Sequence, residues 1–138
     1  MSDTRNGPEL HPTTVELARG ANYAAISSLL PSGQIQTQYI WVGIADDGRL
    51  YVNTEVHRAK FKNIERDPRV TLCIRDEANP YRYAEVRGRV VETRNGDEAR
   101  ADIDALAHKY FGRDYPAENI KTSRVMLFIE ADRQTIAE

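Results

Sequence analysis

The sequence predicts a mainly β domain, a closed or half-closed antiparallel β-barrel with two or three helices at its ends. About six segments have the length and the apolar or alternating character of β-strands. Turn signals separate the first of them, at Pro31 with Gly33 and at Asp46 with Gly48. Helical spacing of apolar residues is confined to short stretches between the strands, so the helices are expected to be peripheral.

The predicted strands follow one another with short connections over the first half of the chain. Because tight turns join the first three, we expect them to be antiparallel neighbours. A short helix separates them from two further strands, and a longer helix precedes the last one. The expected strands are residues 23–30, 34–44, 50–56, 70–75, 81–92 and 124–131.

Start and stop signals define the first and last helices. Thr13 or Thr14 can cap a helix that ends near Gly20. Asn95 is expected to cap the longest helix, and Gly112 to end it. The predicted buried face of that helix consists of five residues at helical spacing, Ile103, Leu106, Ala107, Tyr110 and Phe111.

Length and composition are typical of one globular domain. The 138 residues are 41% hydrophobic and 29% charged, and we expect a flexible arm over residues 1–11 before a single domain over residues 12–138. A net charge of −2 argues against nucleic acid as a partner. The single Cys73 excludes an intramolecular disulfide, and no apolar run approaches the ~20 residues of a membrane span. These features, with no signal-peptide core at the start, predict a cytoplasmic protein without a membrane partner.

Residues 50–69 pass from a strand pattern to a short basic helix that Pro68 must end. A helix N-terminus carries about half a positive charge and prefers acidic residues, yet Arg58, Lys60 and Lys62 occupy its expected first turn. Free backbone N–H groups and cations together suit a phosphate or a poly-acidic tail. A basic helix face in water has the same pattern, and spacing alone does not separate the two interpretations.

The sequence has no recognisable set of catalytic side chains. His11, His57 and His108 lie apart from one another and outside any nucleophile motif, and no spacing matches a metal site. A cofactor with its own reactivity fits such a chain better. Residues 36–41 and 52–54 carry amides, hydroxyls and rings that suit a planar, flavin-like heterocycle, although the aromatic residues fit plain sheet packing equally well.

Two strands carry bulky apolar side chains on both faces. Tyr39 and Trp41 alternate with Ile40, and Met126 and Phe128 alternate with other apolar residues. A single barrel can bury only one of the two faces. The second apolar face therefore predicts a homodimer.

Six short motifs within residues 12–131 occur in the order found in one protein superfamily. They are Arg58-Ala-Lys60, Lys62-Asn-Ile64, Arg66-Asp-Pro-Arg69, Tyr83-Ala-Glu-Val-Arg-Gly88, Lys109-Tyr-Phe-Gly112 and Tyr115-Pro116. With them the chain resembles the pyridoxamine-phosphate-oxidase-like split-barrel superfamily and, within it, the deazaflavin-dependent branch that uses coenzyme F420. The resemblance implies a six- to seven-stranded antiparallel split β-barrel of the FMN-binding type, assembled as a homodimer with cofactor clefts at the interface.

The implied activity is that of an F420-dependent oxidoreductase, a reductase that transfers a hydride from the reduced deazaflavin to an electron-poor small molecule. Because the cofactor supplies the hydride, the protein needs no catalytic side-chain set. Tyr39 is the candidate proton donor, beside solvent. Two alternatives stay open: an FMN-binding oxidase or flavin reductase of the same fold, and a non-catalytic cofactor carrier.

The resemblance also assigns the cofactor-binding residues, and it assigns no metal ligand. The phosphate and the acidic tail are given to Arg58, Ala59, Lys60, Lys62 and Asn63, with Arg66 farther along. The ring edge is given to Gln36, Thr37, Gln38 and Tyr39, and the space beneath the ring to Val52, Asn53 and Thr54. The partner subunit is expected to contribute its copies of two residues, Tyr81 and Tyr83.

Overall fold

The computed structural model describes residues 2–138. Its strands are β1 (Ser2–Asn6), β2 (Ala24–Leu29), β3 (Ile35–Ile40), β4 (Val42–Ile44), β5 (Leu50–Glu55), β6 (Arg69–Asp76), β7 (Asn79–Asn95) and β8 (Arg124–Ala137). The helices are α1 (Pro12–Arg19), α2 (Ala59–Arg66) and α3 (Gly96–Phe111), and a 3₁₀ turn spans Ala117–Asn119.

The strands form one antiparallel sheet that curls into a half-barrel. Their order is β3-β2-β6-β7-β8-β5-β4, and β1 pairs with the end of β8 beyond β5. β7 and β8 are the longest strands, with 17 and 14 residues, and they pair along most of their length. The mainly β fold with peripheral helices, predicted from the sequence, is confirmed.

Two segments differ from the strands expected at the sequence level. Trp41 interrupts residues 34–44, so that β3 pairs with β2 while β4 pairs with β5 at the opposite edge of the sheet. The N-terminal segment, expected as a flexible arm, forms β1 because β8 continues to Ala137 and offers a free edge. The buried Gln134 also holds the chain before α1, since its Oε1 accepts from the His11 backbone N–H at 2.9 Å.

The apolar side chains form two cores. The larger one fills the inner face of the sheet beneath α1 and α2, with Leu72, Val86 and Leu127 fully buried. The smaller one lies between α3 and the sheet and contains Tyr51, Ala99, Ile103, Leu106, Met126 and Phe128. Met126 and Phe128 are therefore covered by a helix of their own chain, and the two-faced pattern of β8 does not require a partner. The homodimer stays a prediction.

The N-terminal caps of α1 and α3 differ from those expected. α1 begins at Pro12, and the Nδ1 atom of His11 accepts from the Thr13 backbone N–H at 3.0 Å in place of a threonine cap. α3 follows Asn95 and ends at Gly112 as predicted, with Gly112 at φ 78°, but the Asn95 side chain makes no capping hydrogen bond. Phe111, expected to be buried, is 50% exposed because it turns toward the cleft described below.

Across residues 2–138, no helix combines the length and the apolar character that crossing a bilayer requires.

Candidate functional site

A cleft of about 440 Å³ opens where the C-terminal end of β5 meets the N-terminal end of α2. The start of β8, the end of α3 and the loop after α3 complete its walls. The residues that line it are Tyr23, Tyr39, Ile40, Trp41, Asn53, Thr54, Arg58, Lys60, Ile103, Phe111, Arg113, Tyr115, Pro116, Asn119 and Arg124. Two kinds of side chain dominate this set, cations and aromatic rings.

The cleft is cationic although the whole chain carries a net charge of −2. Arg58, Lys60, Arg113 and Arg124 line it, and the lining contains no aspartate or glutamate. Such a concentration of one sign in a concave site favours an anionic ligand. The strand-to-helix junction predicted as an anion site supplies two of the four cations.

Lys60 is the most unusual of these groups, because only 7% of the residue is exposed. Within residues 2–138, no carboxylate oxygen lies within 4.0 Å of its ammonium. Burial lowers the pKa of Lys60, and the charges of Arg58 and Arg124 lower it further. A buried charge without a counter-ion is costly, and a bound anion at this place would remove that cost.

Arg124 was not among the residues predicted from the sequence. Its Nε donates to Asn53 Oδ1 at 2.9 Å and its NH2 group donates to the Asn53 carbonyl at 3.2 Å. Burial lowers the pKa of this guanidinium as well. A cation that opens an otherwise apolar last strand was the only sequence signal for it, and the strand pairing of β5 with β8 is what brings it to Lys60.

The carboxylate nearest to Arg58 belongs to Glu55, which is fully buried outside the cleft. One oxygen accepts from the backbone N–H groups of Lys121 and Thr122, at 2.7 and 3.3 Å. The other makes no hydrogen bond and lies 3.4 Å from His57 Nδ1 and 3.8 Å from Arg58 Nε. Burial raises the pKa of Glu55, but the two backbone donors and nearby cations outweigh it and hold the pKa below its ordinary value. Glu55 thus joins the start of α2 to the loop before β8.

Aromatic side chains form the other end of the cleft. The Trp41 ring stacks on Tyr110 with the centroids 5.0 Å apart and the planes at 6°. Phe111 and Tyr115 meet the same indole edge-on, at 4.8 and 6.0 Å. Trp41 therefore has a fixed orientation, which suits it to one wall of a site for a flat molecule.

Two residues of the Lys109-Tyr-Phe-Gly112 motif hold this wall in place. Lys109 Nζ donates to the carbonyls of Ala18 and Val42, at 2.7 and 2.6 Å, and burial lowers the pKa of Lys109 to about 8. The Tyr110 hydroxyl donates to the Asn22 carbonyl at 2.7 Å, and burial raises its pKa to about 12. The motif thereby fixes the end of α3 against α1 and β4.

The structure brings together five of the predicted cofactor-binding residues in the cleft, Tyr39, Asn53, Thr54, Arg58 and Lys60. The amide of Asn53 is engaged, since Nδ2 donates to Ala99 O and to Asp102 Oδ2, both at 3.0 Å. Tyr39 is 78% exposed at the mouth.

The other predicted residues do not line this cleft in the single chain. Asn63 is buried beneath β3, where its Nδ2 donates to Gln36 Oε1 at 3.1 Å. Arg66 donates to Asn63 Oδ1 at 3.1 Å and to the Leu29 carbonyl, so it ties α2 to β2. Thr37 Oγ1 shares a hydrogen bond of 2.8 Å with Ser27 on the outer sheet face. The remaining residues are the fully buried Val52, the half-buried Gln38 and Tyr83, and the exposed Ala59, Lys62 and Tyr81.

A second cavity, of about 510 Å³, lies on the other side of α3 and is acidic. Its carboxylates are Asp46, Asp47, Glu98 and Asp102. Asp102 is the deepest of them, and its oxygens accept from the Tyr51 hydroxyl at 2.5 Å and from Asn53 at 3.0 Å. Burial raises the pKa of Asp102. Acidic walls make this cavity a poor site for an anionic cofactor, and the part of the chain that the structure describes holds no cluster of three metal-ligating side chains.

Comparison with known proteins agrees with this architecture. Among solved structures, an F420 reductase superimposes with a TM-score of 0.77 at 26% identity, covering 91% of this chain and 98% of its own. The conserved hypothetical protein Rv2991 from Mycobacterium tuberculosis matches with a TM-score of 0.69 at 21% identity, over 96% and 89% of the two chains. The heme storage protein HutZ from Vibrio cholerae has the same fold, with a TM-score of 0.63 at 14% identity over 94% and 95%.

No curated protein sequence matches the chain significantly. At the level of families, residues 10–135 match pyridoxamine 5′-phosphate oxidase. This match spans nearly the whole chain. The chain therefore belongs to the pyridoxamine 5′-phosphate oxidase family.

Proposed function

We propose that this protein is a coenzyme F420-dependent oxidoreductase, a reductase that uses the reduced deazaflavin on an electron-poor small molecule. The observation that carries the proposal is the buried Lys60 ammonium, which has no acidic partner and lies beside Arg58 and Arg124 in a cleft without carboxylates. The 26% identity to an F420 reductase over nearly the full length of both chains supports the choice of cofactor.

The residues present fit the anionic part of this coenzyme. Lys60, Arg58 and Arg124 would hold a phosphate through charge-assisted hydrogen bonds at the cationic end of the cleft. Lys62 is exposed on the same helix and would meet an acidic tail that leaves the cleft. Arg66, the residue predicted farther along the tail, is less available because it is bonded to Leu29 and Asn63.

When bound, the deazaflavin supplies a hydride from its C5 carbon to an electron-poor double bond. The side chains of the protein then have to align two flat molecules and keep water out. Trp41, Phe111 and Tyr115 form a wall suited to that task. The proton that completes the reduction would come from the Tyr39 hydroxyl at the mouth of the cleft or from solvent.

The proposal includes a homodimer in the cytoplasm. Tyr81 is 85% exposed and Tyr83 lies on the same strand, so both are placed where a second copy could use them. The neighbouring outer face of β2 and β3 carries small and polar side chains such as Ser27 and Thr37, which would allow two sheets to approach closely.

Ligand titration tests the choice of cofactor. The purified protein is titrated with F420 and, in parallel, with FMN, following the fluorescence of each cofactor. We expect saturable F420 binding that is tighter than FMN binding. Tight FMN binding without F420 binding would replace this proposal by the FMN oxidase or flavin reductase of the same fold.

Turnover separates an enzyme from a carrier. Oxidation of reduced F420 is followed by absorbance with a panel of enones, quinones and tetrapyrroles. At least one acceptor should be reduced faster than in a protein-free control. Binding of F420 without turnover on any of them would favour the carrier.

A further inference from the structure

The aromatic end of the cleft leaves three of its rings substantially exposed. We use this name for Tyr23, Tyr39, Trp41, Phe111 and Tyr115. Tyr23 and Phe111 are 40% and 50% exposed, and Tyr39 is more exposed still. They come from three separate parts of the chain, and exposed rings that converge on one concave site mark a binding surface for an apolar, flat ligand.

Two cations border this end: the guanidinium carbon of Arg124 lies 5.3 Å from the centroid of the Tyr115 ring, and Arg113 lies beside Phe111. Arg113 lies in the loop directly after α3, with its guanidinium carbon 5.8 Å from the centroid of the Phe111 ring. Within residues 2–138, no carboxylate oxygen lies within 4.0 Å of its guanidinium nitrogens. The adjacent Asp114 does not neutralise it, because Asp114 pairs with His108 at 2.7 Å.

The four cations of the cleft come from different elements of the fold. Arg58, Lys60 and Arg124 surround the ends of β5 and α2, where the proposed cofactor phosphate would lie. Arg113 comes from the loop after α3, and its guanidinium lies beside the Phe111 ring. A guanidinium beside an aromatic face suits a ligand that combines a conjugated ring system with an anionic group, since the fork of N–H donors matches a carboxylate.

We propose that Arg113 determines substrate specificity and that the substrate is a flat conjugated molecule carrying a carboxylate or a similar anionic group. The aromatic end would hold the ring system, and Arg113 the anionic group. The assignment of this molecule as the hydride acceptor rests on the proposed function, whereas its binding to the cleft does not.

The test uses Trp41, which is the only tryptophan of the chain and lies in the site. Anthraquinone-2-carboxylate and its uncharged carboxamide are titrated into the cofactor-free protein, and quenching of tryptophan fluorescence gives the two dissociation constants. The wild type should bind the carboxylate about tenfold more tightly than the carboxamide, and Arg113→Gln should lose most of that preference. Arg133→Gln, the same change at an exposed position outside the cleft, should keep the preference.

Two results would overturn the proposal. One is an unchanged preference for the carboxylate in Arg113→Gln; if Lys60→Met abolishes that preference instead, the probe has bound at the phosphate end. The other is an equal loss of affinity for both probes, which would make Arg113 a packing residue.

Titration of Arg113→Gln with F420 keeps this proposal distinct from the proposed function. Wild-type F420 affinity in the variant supports a role for Arg113 in substrate binding alone. A matching loss of F420 affinity would place Arg113 in the cofactor site and contradict the inference. If the wild type binds no F420, the proposed function fails while the probe titrations still decide the role of Arg113.

Discussion

Arg124 donates from its Nε to the Oδ1 atom of Asn53 over 2.9 Å, and both side chains are almost completely buried. The partner of this cation is a neutral amide, so the hydrogen bond fixes the guanidinium without neutralising it. Lys60 is close enough that the charge of Arg124 lowers the pKa of its ammonium, in addition to the larger effect of burial. Positive charge is thereby held in place beside the cleft and left available for a ligand.

Asn53→Ala should destabilise the protein by about 2–4 kcal/mol, because it leaves buried donors of Arg124 and an oxygen of Asp102 without their partner. Urea unfolding followed by circular dichroism measures the change. Asn95→Ala is the matched control: this asparagine occupies the predicted cap of α3 but makes no capping hydrogen bond, and the expected change is within about 0.5 kcal/mol. Equal effects of the two variants would contradict the role given to Asn53.

Lys60→Met should weaken F420 binding by about 1.5–3 kcal/mol, or roughly 10- to 150-fold, because a charged hydrogen bond to the anion is lost. The unfolding midpoint should not fall, since the variant removes a buried charge that has no acidic partner. Fluorescence titration and thermal unfolding give the two quantities. Lys62→Met, two residues along the same helix and exposed, should change affinity much less. Unaltered affinity in Lys60→Met would mean that the basic residues at the start of α2 are a solvated helix face and do not bind the cofactor.

Lys109 should make stability depend on pH in the alkaline range. Burial lowers its pKa to about 8 in the folded protein, against an ordinary value of 10.5. Between these two values the unfolded chain holds a proton that the folded protein has lost, so the free energy of unfolding contributed by Lys109 rises with pH. The unfolding free energy of the wild type minus that of Lys109→Met should therefore rise from pH 7 to pH 10. A difference that is constant or falls over this range would show that the ammonium is not desolvated.

Gly88→Ala should destabilise the sheet by about 1–3 kcal/mol. Gly88 follows an irregularity in the pairing of β7 with β8, and a Cβ added there would lie 2.1 Å from the Glu130 carbonyl oxygen. The obstacle is backbone and cannot rotate away, so one of the two strands has to move. Differential scanning calorimetry measures the loss, and an unchanged melting temperature would mean that the bulge absorbs a methyl group without strain.

Local signals in the sequence predicted most of the fold. Turn residues such as Gly48 and the left-handed Gly112 act within a few residues, and the helices and hairpins that depend on them appear near their expected positions. The transfer of the chain from one sheet edge to the other at Trp41 has no local signal, because it depends on which strands β3 and β4 meet. The pairing of β1 with β8 likewise depends on an edge 130 residues away.

The residues of the site also divide into those with a local sequence signal, which were predicted, and those placed by long-range pairing, which were not. Arg58 and Lys60 were predicted because their anomaly, cations at a helix N-terminus, is visible within one segment. Arg124 and Tyr115 were missed, because only the pairing of β5 with β8 and the turn after α3 bring them to the cleft. Asn53 was predicted as a contact of the cofactor ring, and the structure shows its amide bonded to Ala99, Asp102 and Arg124.

The charged residues that line the cleft are all cations, and this has a consequence for how an anion reaches it. At about 0.1 M salt, charges more than ~10 Å apart are largely screened from one another. A ligand in the cleft therefore responds mainly to the four cations of the lining and to the carboxylates beside them, such as Glu55 at 3.8 Å from Arg58, and hardly to acidic residues on distant parts of the surface. Selection for anions is a short-range property of this one surface, and it operates only on molecules that have already arrived there by diffusion.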